Sequence, residues 1–191
     1  MLQPNFIPFP ELKTERLLLR RLTIEDAPEV FFLRSDEAVL QFLGREPASS
    51  VKEVEDFIKK VNMAIDNNES ILWAIVLKEE PGKTIGTICY WQLQPENYRA
   101  EIGYVLHPGH WRKGIMQEAI GKVLEYGFEE MKLHSIEARL SSDNKASASV
   151  LERTGFIKEA CFKEDFFFRG EFQDTIVYSR LQKKANDATA N

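Results

Sequence analysis

Several of the usual routes to stability and function are missing from this chain of 191 residues. It has only two cysteines, Cys89 and Cys161, which form neither a disulfide framework nor a metal motif. Of its three histidines, His107 and His110 stand three apart with no cysteine or carboxylate ligand nearby, and His134 opens an apolar segment, so structural roles and no metal site are expected. No apolar run approaches the ~20 residues of a membrane span, and no charged leader precedes an apolar one. No membrane partner is expected, and the cytoplasm is the expected compartment. Positive charge is in deficit, with 25 Lys and Arg against 30 Asp and Glu and a net charge of -5. That balance argues against nucleic acid as a partner. Internal repeats and low-complexity segments are absent as well.

What remains is ordinary for one globular unit, with 43% hydrophobic and 29% charged residues. A single domain over residues 1–191 is expected, with its core at about 14–182, an extended lead-in at 1–13 and a flexible tail at 183–191. Residues 14–22 predict a strand, and Thr23 predicts the cap of a helix over about 24–34, with Asp26 in the capping-box position. Ser49 or Ser50 caps a second helix, along which Val51, Val54, Phe57, Ile58, Val61 and Ile65 form an apolar stripe. Residues 71–77 and 84–91 predict a hairpin around Pro81-Gly82, and residues 100–106 a further strand. After a helix from Ile115 come a strand at 134–140, a short helix capped by Asp143 or Asn144, and a long hairpin turning at Arg169-Gly170-Glu171. The order implies an α/β (α+β) fold: a mixed, mostly antiparallel sheet of about seven strands, helices on both faces and one parallel crossover.

The most informative stretch runs from His107 to Ala119 and joins the 100–106 strand to an amphipathic helix. Ile115, Met116, Ala119, Ile120, Val123 and Leu124 recur at helical spacing, and Gly114 stands where that helix begins. A helix start exposes unpaired N–H groups and the positive end of the macrodipole. With Arg112 and Lys113 beside it, this start suits a phosphate group. It is not a Walker A loop, because no Ser or Thr follows a Gly-Lys pair, and the glycines of a dinucleotide fingerprint are missing. From the residues alone it is an anion site, or equally a tight turn with two solvated basic residues.

Four segments, in order on these elements, resemble the GNAT superfamily of acetyl-CoA-dependent N-acetyltransferases. More narrowly, they resemble the branch that acetylates the N-terminal amines of ribosomal proteins. They are Thr14-Glu15-Arg16-Leu17-Leu18-Leu19-Arg20, Glu101-Ile102-Gly103-Tyr104, Trp111 to Ala119, and Asn144-Lys145-Ala146-Ser147 with Leu151-Glu152-Arg153-Thr154-Gly155-Phe156. The likeness covers Thr14 to Arg180. It implies the GNAT fold, with a sheet splayed at the cofactor cleft and acetyl-CoA as co-substrate. In the superfamily's phosphate loop Trp111 takes the first position, Gly114 the glycine and Met116 the last, where the pattern has Gly or Ala. By resemblance, the backbone of Arg112, Lys113, Gly114, Ile115 and Met116 donates to the pyrophosphate. The backbone of Tyr104, Val105 and Leu106 pairs with the pantetheine arm, and Asn144 orients the cofactor or a water.

Amide formation from a thioester needs a neutral amine, a polarised carbonyl and a stabilised thiolate. The resemblance makes Glu101 the base; the alternative is an ion pair with Arg99 or another cation. Leu151 stands where many GNAT enzymes have an acid tyrosine, which leaves Ser147, one turn earlier, as the candidate acid and a cofactor contact. A backbone N–H near Val105 is the expected oxyanion donor. Neither cysteine lies at the cofactor loop, so direct transfer in a ternary complex is expected. The first acceptor is a protein N-terminal amine; a polyamine, amino sugar or antibiotic is the enzyme alternative, and a non-catalytic acyl-CoA-binding module the alternative of another class. Dimerisation through the terminal hairpin is also expected.

Overall fold

The computed structural model describes residues 1–182. The expected tail from Lys183 lies outside the described residues. Eight strands form one sheet in the order β1-β2-β3-β4-β5-β6-β8-β7. In chain order they are β1 (Leu12–Lys13), β2 (Leu17–Arg20), β3 (Ile71–Leu77), β4 (Thr84–Gln94), β5 (Arg99–Leu106), β6 (Ser135–Ser141), β7 (Ile157–Phe168) and β8 (Glu171–Leu181). All neighbours are antiparallel except β5 and β6, the expected crossover.

The strand beyond the expected seven is β1, which pairs Leu12 with Leu19. Two residues are too few to show a period. The lead-in is also less peripheral than expected, because Leu2, Phe6 and Leu12 are buried in the main core. The expected 14–22 strand shortens to β2 because Thr14 N–H donates to the Leu17 carbonyl at 3.0 Å, closing a turn ahead of it.

Five helices flank the sheet: α1 (Ala27–Ser35), α2 (Glu37–Leu40), α3 (Val51–Asp66), α4 (Ile115–Glu125) and α5 (Lys145–Arg153). A 3-10 turn at Ile24–Asp26 leads into α1, and the Thr23 N–H donates to the Asp26 carboxylate at 2.8 Å, as the capping box requires. Ser50 rather than Ser49 caps α3, and Asn144 rather than Asp143 caps α5. α4 ends in a single π-turn at Tyr126–Glu130.

β3 shows how the layers form. Ile71, Trp73, Ile75 and Leu77 point into the core beneath α4 and α5, while Ala74 and Val76 join Val30, Val54 and Ile58 of α1 and α3 on the other face. A strand covered on both sides reads as an unbroken apolar run. The two faces then play different parts: α4 and α5 bring their N-termini to one, and the loop between α2 and α3 hangs over the other.

Candidate active site

The cleft originates in the pairing of β5 with β6. Their ladder holds only from Arg99–Ser135 to Glu101–Glu137, after which β5 runs on to Leu106 without a partner on that side. Beyond Glu101 the sheet is therefore open, and the β5 edge from Ile102 onward offers backbone groups to an extended ligand.

At the far end of β5 lies the anion loop. Gly114 caps α4 with φ +74°, a left-handed conformation that a β-carbon would strain. Arg112 also has a positive φ of 60°. The Trp111 indole N–H donates to the Leu106 carbonyl at 2.7 Å, fixing the loop to the strand end, while His107 Nδ1 accepts from Gly109 N–H and stacks on Phe32. Ile115 and Met116 are buried, so the Met116 side chain points into the core and leaves its backbone at the helix start.

The loop is also held from behind. Glu118, in the first turn of α4, accepts from the Arg16 backbone N–H at 2.9 Å and from Arg16 Nε at 2.7 Å, and from the Thr14 hydroxyl. Arg16 Nη1 donates to the Lys113 carbonyl at 3.0 Å. Partial burial raises the Glu118 pKa, but the Thr14 and Arg16 hydrogen bonds outweigh it and hold the carboxyl below its ordinary value. These contacts account for two of the matched segments standing far apart in sequence: one clamps the other. The free N–H groups, the glycine cap and the opened edge together fit an elongated ligand with a phosphate end.

Glu101 stands at the last paired rung, where the opening starts. It is 8% exposed, and burial pushes its pKa above the ordinary carboxylate range, against the pull of Arg139, Trp91 and Arg99. Arg99 and Arg139 are engaged by Glu137 instead, the latter at 3.5 Å. Among the described residues Glu101 thus has no ion pair, and the alternative role foreseen for it passes to Glu137. A cavity of about 20 Å³ lined by Gln92, Gln94, Arg99 and Glu101 adjoins the carboxyl, with room for about one water. A larger cavity, between β1 and the end of α4, touches none of these groups.

Across the opening, Asn144 Oδ1 accepts from the Ser147 N–H at 3.0 Å, which fixes the first turn of α5. Ser147 Oγ lies 2.6 Å from the Tyr104 hydroxyl. This contact bridges the two walls of the cleft, and it was not legible in the sequence, where only the Tyr104 backbone was marked. Strand alternation puts Tyr104 on the same face as Ile102 and Leu106, but alternation does not say which distant residue it meets. Burial pushes the Tyr104 phenol up to about 12, so at neutral pH the resting phenol carries its proton.

The other candidates divide between core and cleft. Tyr90 is buried and donates to the Val123 carbonyl at 2.9 Å, whereas Trp91 is 44% exposed beside Glu101. Cys89 also faces the Glu101 side, against Gly103, and burial pushes its thiol up to about 12, which keeps it un-ionised and a poor nucleophile. Phe166 packs onto the loop between α2 and α3, and Asp165 faces Arg139 at 3.8 Å. Among the described residues there is no metal-binding cluster and no helix long and apolar enough to cross a membrane.

Comparison with known proteins agrees with this architecture. The acetyltransferase (GNAT) domain model matches residues 16–157. The chain is 36% identical over 176 residues to the uncharacterized N-acetyltransferase YoaA of Bacillus subtilis, covering 92% of this chain and 99% of that protein. It is 29% identical to the ribosomal-protein-serine acetyltransferase of Escherichia coli, covering 69% of this chain and 73% of that protein. The crystal structure of spermidine N-acetyltransferase from Vibrio cholerae, in complex with CoA and spermine, superposes with a TM-score of 0.78 at 25% identity, covering 88% of this chain and 97% of that one. The chain belongs to the GNAT family and is an acetyl-CoA-dependent N-acetyltransferase.

Proposed function

We propose that the acceptor is the N-terminal α-amine of a protein, with Glu101 as the base and Ser147, backed by Tyr104, as the acid. The observation that carries the chemistry is the placement of a buried, unpaired carboxyl and a hydroxyl pair on opposite walls of one opened strand edge. When bound, acetyl-CoA supplies a thioester carbonyl carbon. The amine nitrogen bonds to that carbon and the carbon–sulfur bond breaks. The amine proton passes to Glu101, directly or through a water, and the departing sulfur takes the Ser147 proton, which Tyr104 replaces. The α4 start and the β5 edge from Tyr104 to Leu106 hold the co-substrate, and a backbone N–H near Val105 on the open side of β5 donates to the developing oxyanion.

An α-amine has a pKa of about 7.7–8.0 against about 10.4 for lysine, so a glutamate needs to remove much less from it. The E. coli relative's acceptor is a ribosomal protein serine, which supports the same class here. A cytoplasmic location accords with it. The competing reading is a small amine, as in the V. cholerae structure with spermine. Thiol release from acetyl-CoA with peptides beginning Ala or Ser, beside polyamines and amino sugars, separates them. Turnover on peptides that Glu101→Gln abolishes is expected; turnover on small amines alone overturns the acceptor, and coenzyme A binding without turnover on any amine favours a non-catalytic binding module.

A further inference from the structure

The geometry points to an acceptor that carries an anionic group about one residue away from the reacting amine, received by Arg45 with Arg34. This rests on the proposed base and extends it to substrate class. Arg45 Nε is buried with no hydrogen-bond partner, the one such side-chain atom among the described residues. Neither Arg45 nor Arg34 forms an ion pair among those residues, in a chain with 30 acidic side chains. Arg34 instead lies over the Phe57 ring at 4.0 Å. Two adjacent, partly desolvated guanidiniums repel each other, and Arg45 is held down to about 10 by burial and by the Arg34 charge. Burying a cation without a counter-charge is expensive unless a ligand supplies one.

The position of Arg45 is what makes the ligand an acceptor. It sits on the loop between α2 and α3, where Phe166 of β7 packs so tightly on Gly44 that no β-carbon would fit, and Arg169 reaches Glu46 at 3.0 Å. Loop and hairpin thus roof the face of β4 and β5 that bears Glu101. Cys89 lies within electrostatic reach of both Arg45 and Glu101. The Cys89–Gly103 rung is two residues from the Trp91–Glu101 rung, about 7 Å along the strand. Arg45 acts on Cys89 and is not among the cations that act on Glu101, so an amine at Glu101 and an anion at Arg45 are separated by more than one carbon. An acidic side chain at the second or third position of a peptide suits that span, an α-amino acid does not, and a polycation meets charge of its own sign.

The test compares peptides identical except for Asp or Asn at position two, with 4-aminobutanoate and its amide as the small-molecule pair and free serine as the short-span control. For the wild-type protein, kcat/KM is expected to favour the acid over the amide by about tenfold or more. Arg45→Gln should bring that ratio near one, chiefly through KM, and Arg45→Lys should restore part of it. Because the variant loses a half-buried charge without an ion-pair partner, the Tm of Arg45→Gln should hold or rise. Equal use of acid and amide by the wild type, an unchanged ratio in Arg45→Gln, or a lowered Tm would overturn the inference. Turnover on small amines alone sinks the protein-terminus reading, and the aminobutanoate pair then decides the anion inference by itself.

Discussion

At the scale of single residues the proposed chemistry rests on two hydroxyls and a carboxyl. Glu101 must be ionised to accept a proton, and burial raises its pKa, so kcat/KM should climb with pH along an acidic limb displaced above an ordinary glutamate. Glu101→Gln should lower kcat by about 10²–10⁴ and remove that limb; a variant that keeps both would exclude Glu101 as the base. The acid has less to do, because a thiol of pKa about 8.5 leaves readily as thiolate. Ser147→Ala should therefore reduce kcat by only about tenfold, and Tyr104→Phe by less; steady-state kinetics at two pH values would check both. Glu101 and Ser147 were reached through the family resemblance, which the sequence carries in short local motifs on β5 and at the start of α5. The Tyr104 hydroxyl and the orphaned Arg45 escaped it because each is defined by what a distant element brings, or fails to bring, to it.

Among elements, the coupling of β2 to α4 controls the anion loop. Thr14 and Arg16 hold Glu118, and Arg16 holds the Lys113 carbonyl, so the orientation of the exposed N–H groups depends on a turn about a hundred residues earlier in the chain. Glu118→Ala should raise KM for acetyl-CoA several-fold with little change in kcat, and should cost about 2 kcal/mol of stability. Equilibrium denaturation beside steady-state kinetics would measure both, and a kcat loss at constant KM would contradict the clamp. Long elements were legible because their periods repeat: the α3 stripe, the double-faced β3 and the terminal hairpin stand where the pattern placed them. The short ones were not. α2 has four residues and β1 two, less than any period, and the choice between Ser49 and Ser50 as cap depends on a single N–H.

For the whole molecule, two buried carboxyls act on stability with opposite signs. Asp26 is 2% exposed, and Arg20 grips it with two hydrogen bonds of 2.8 and 2.7 Å while the Thr84 hydroxyl donates at 2.7 Å. Burial alone would raise its pKa; the bonds from Arg20, Thr23 and Thr84 outweigh that and lower it. Its contribution is therefore present above the unfolded value of about 3.9 and lost as pH falls through the lower folded value. Asp26→Asn leaves Arg20 partly buried without its partner and should destabilise by about 3–5 kcal/mol at neutral pH, the gap to wild type narrowing in acid. Glu101 runs the other way. Its raised pKa means that folding favours the protonated form, a contribution complete below the unfolded value of about 4.3 and lost as pH rises through the folded one. At neutral pH the ionised base is a net cost to the fold. Glu101→Gln should hence be inactive yet more stable, by about 2–4 °C in Tm for each kcal/mol recovered, and the gain should vanish in acid. Calorimetry of both proteins across that pH range would reveal it, and a Glu101→Gln protein less stable than wild type at neutral pH would mean that Glu101 holds the sheet together rather than waiting for a proton.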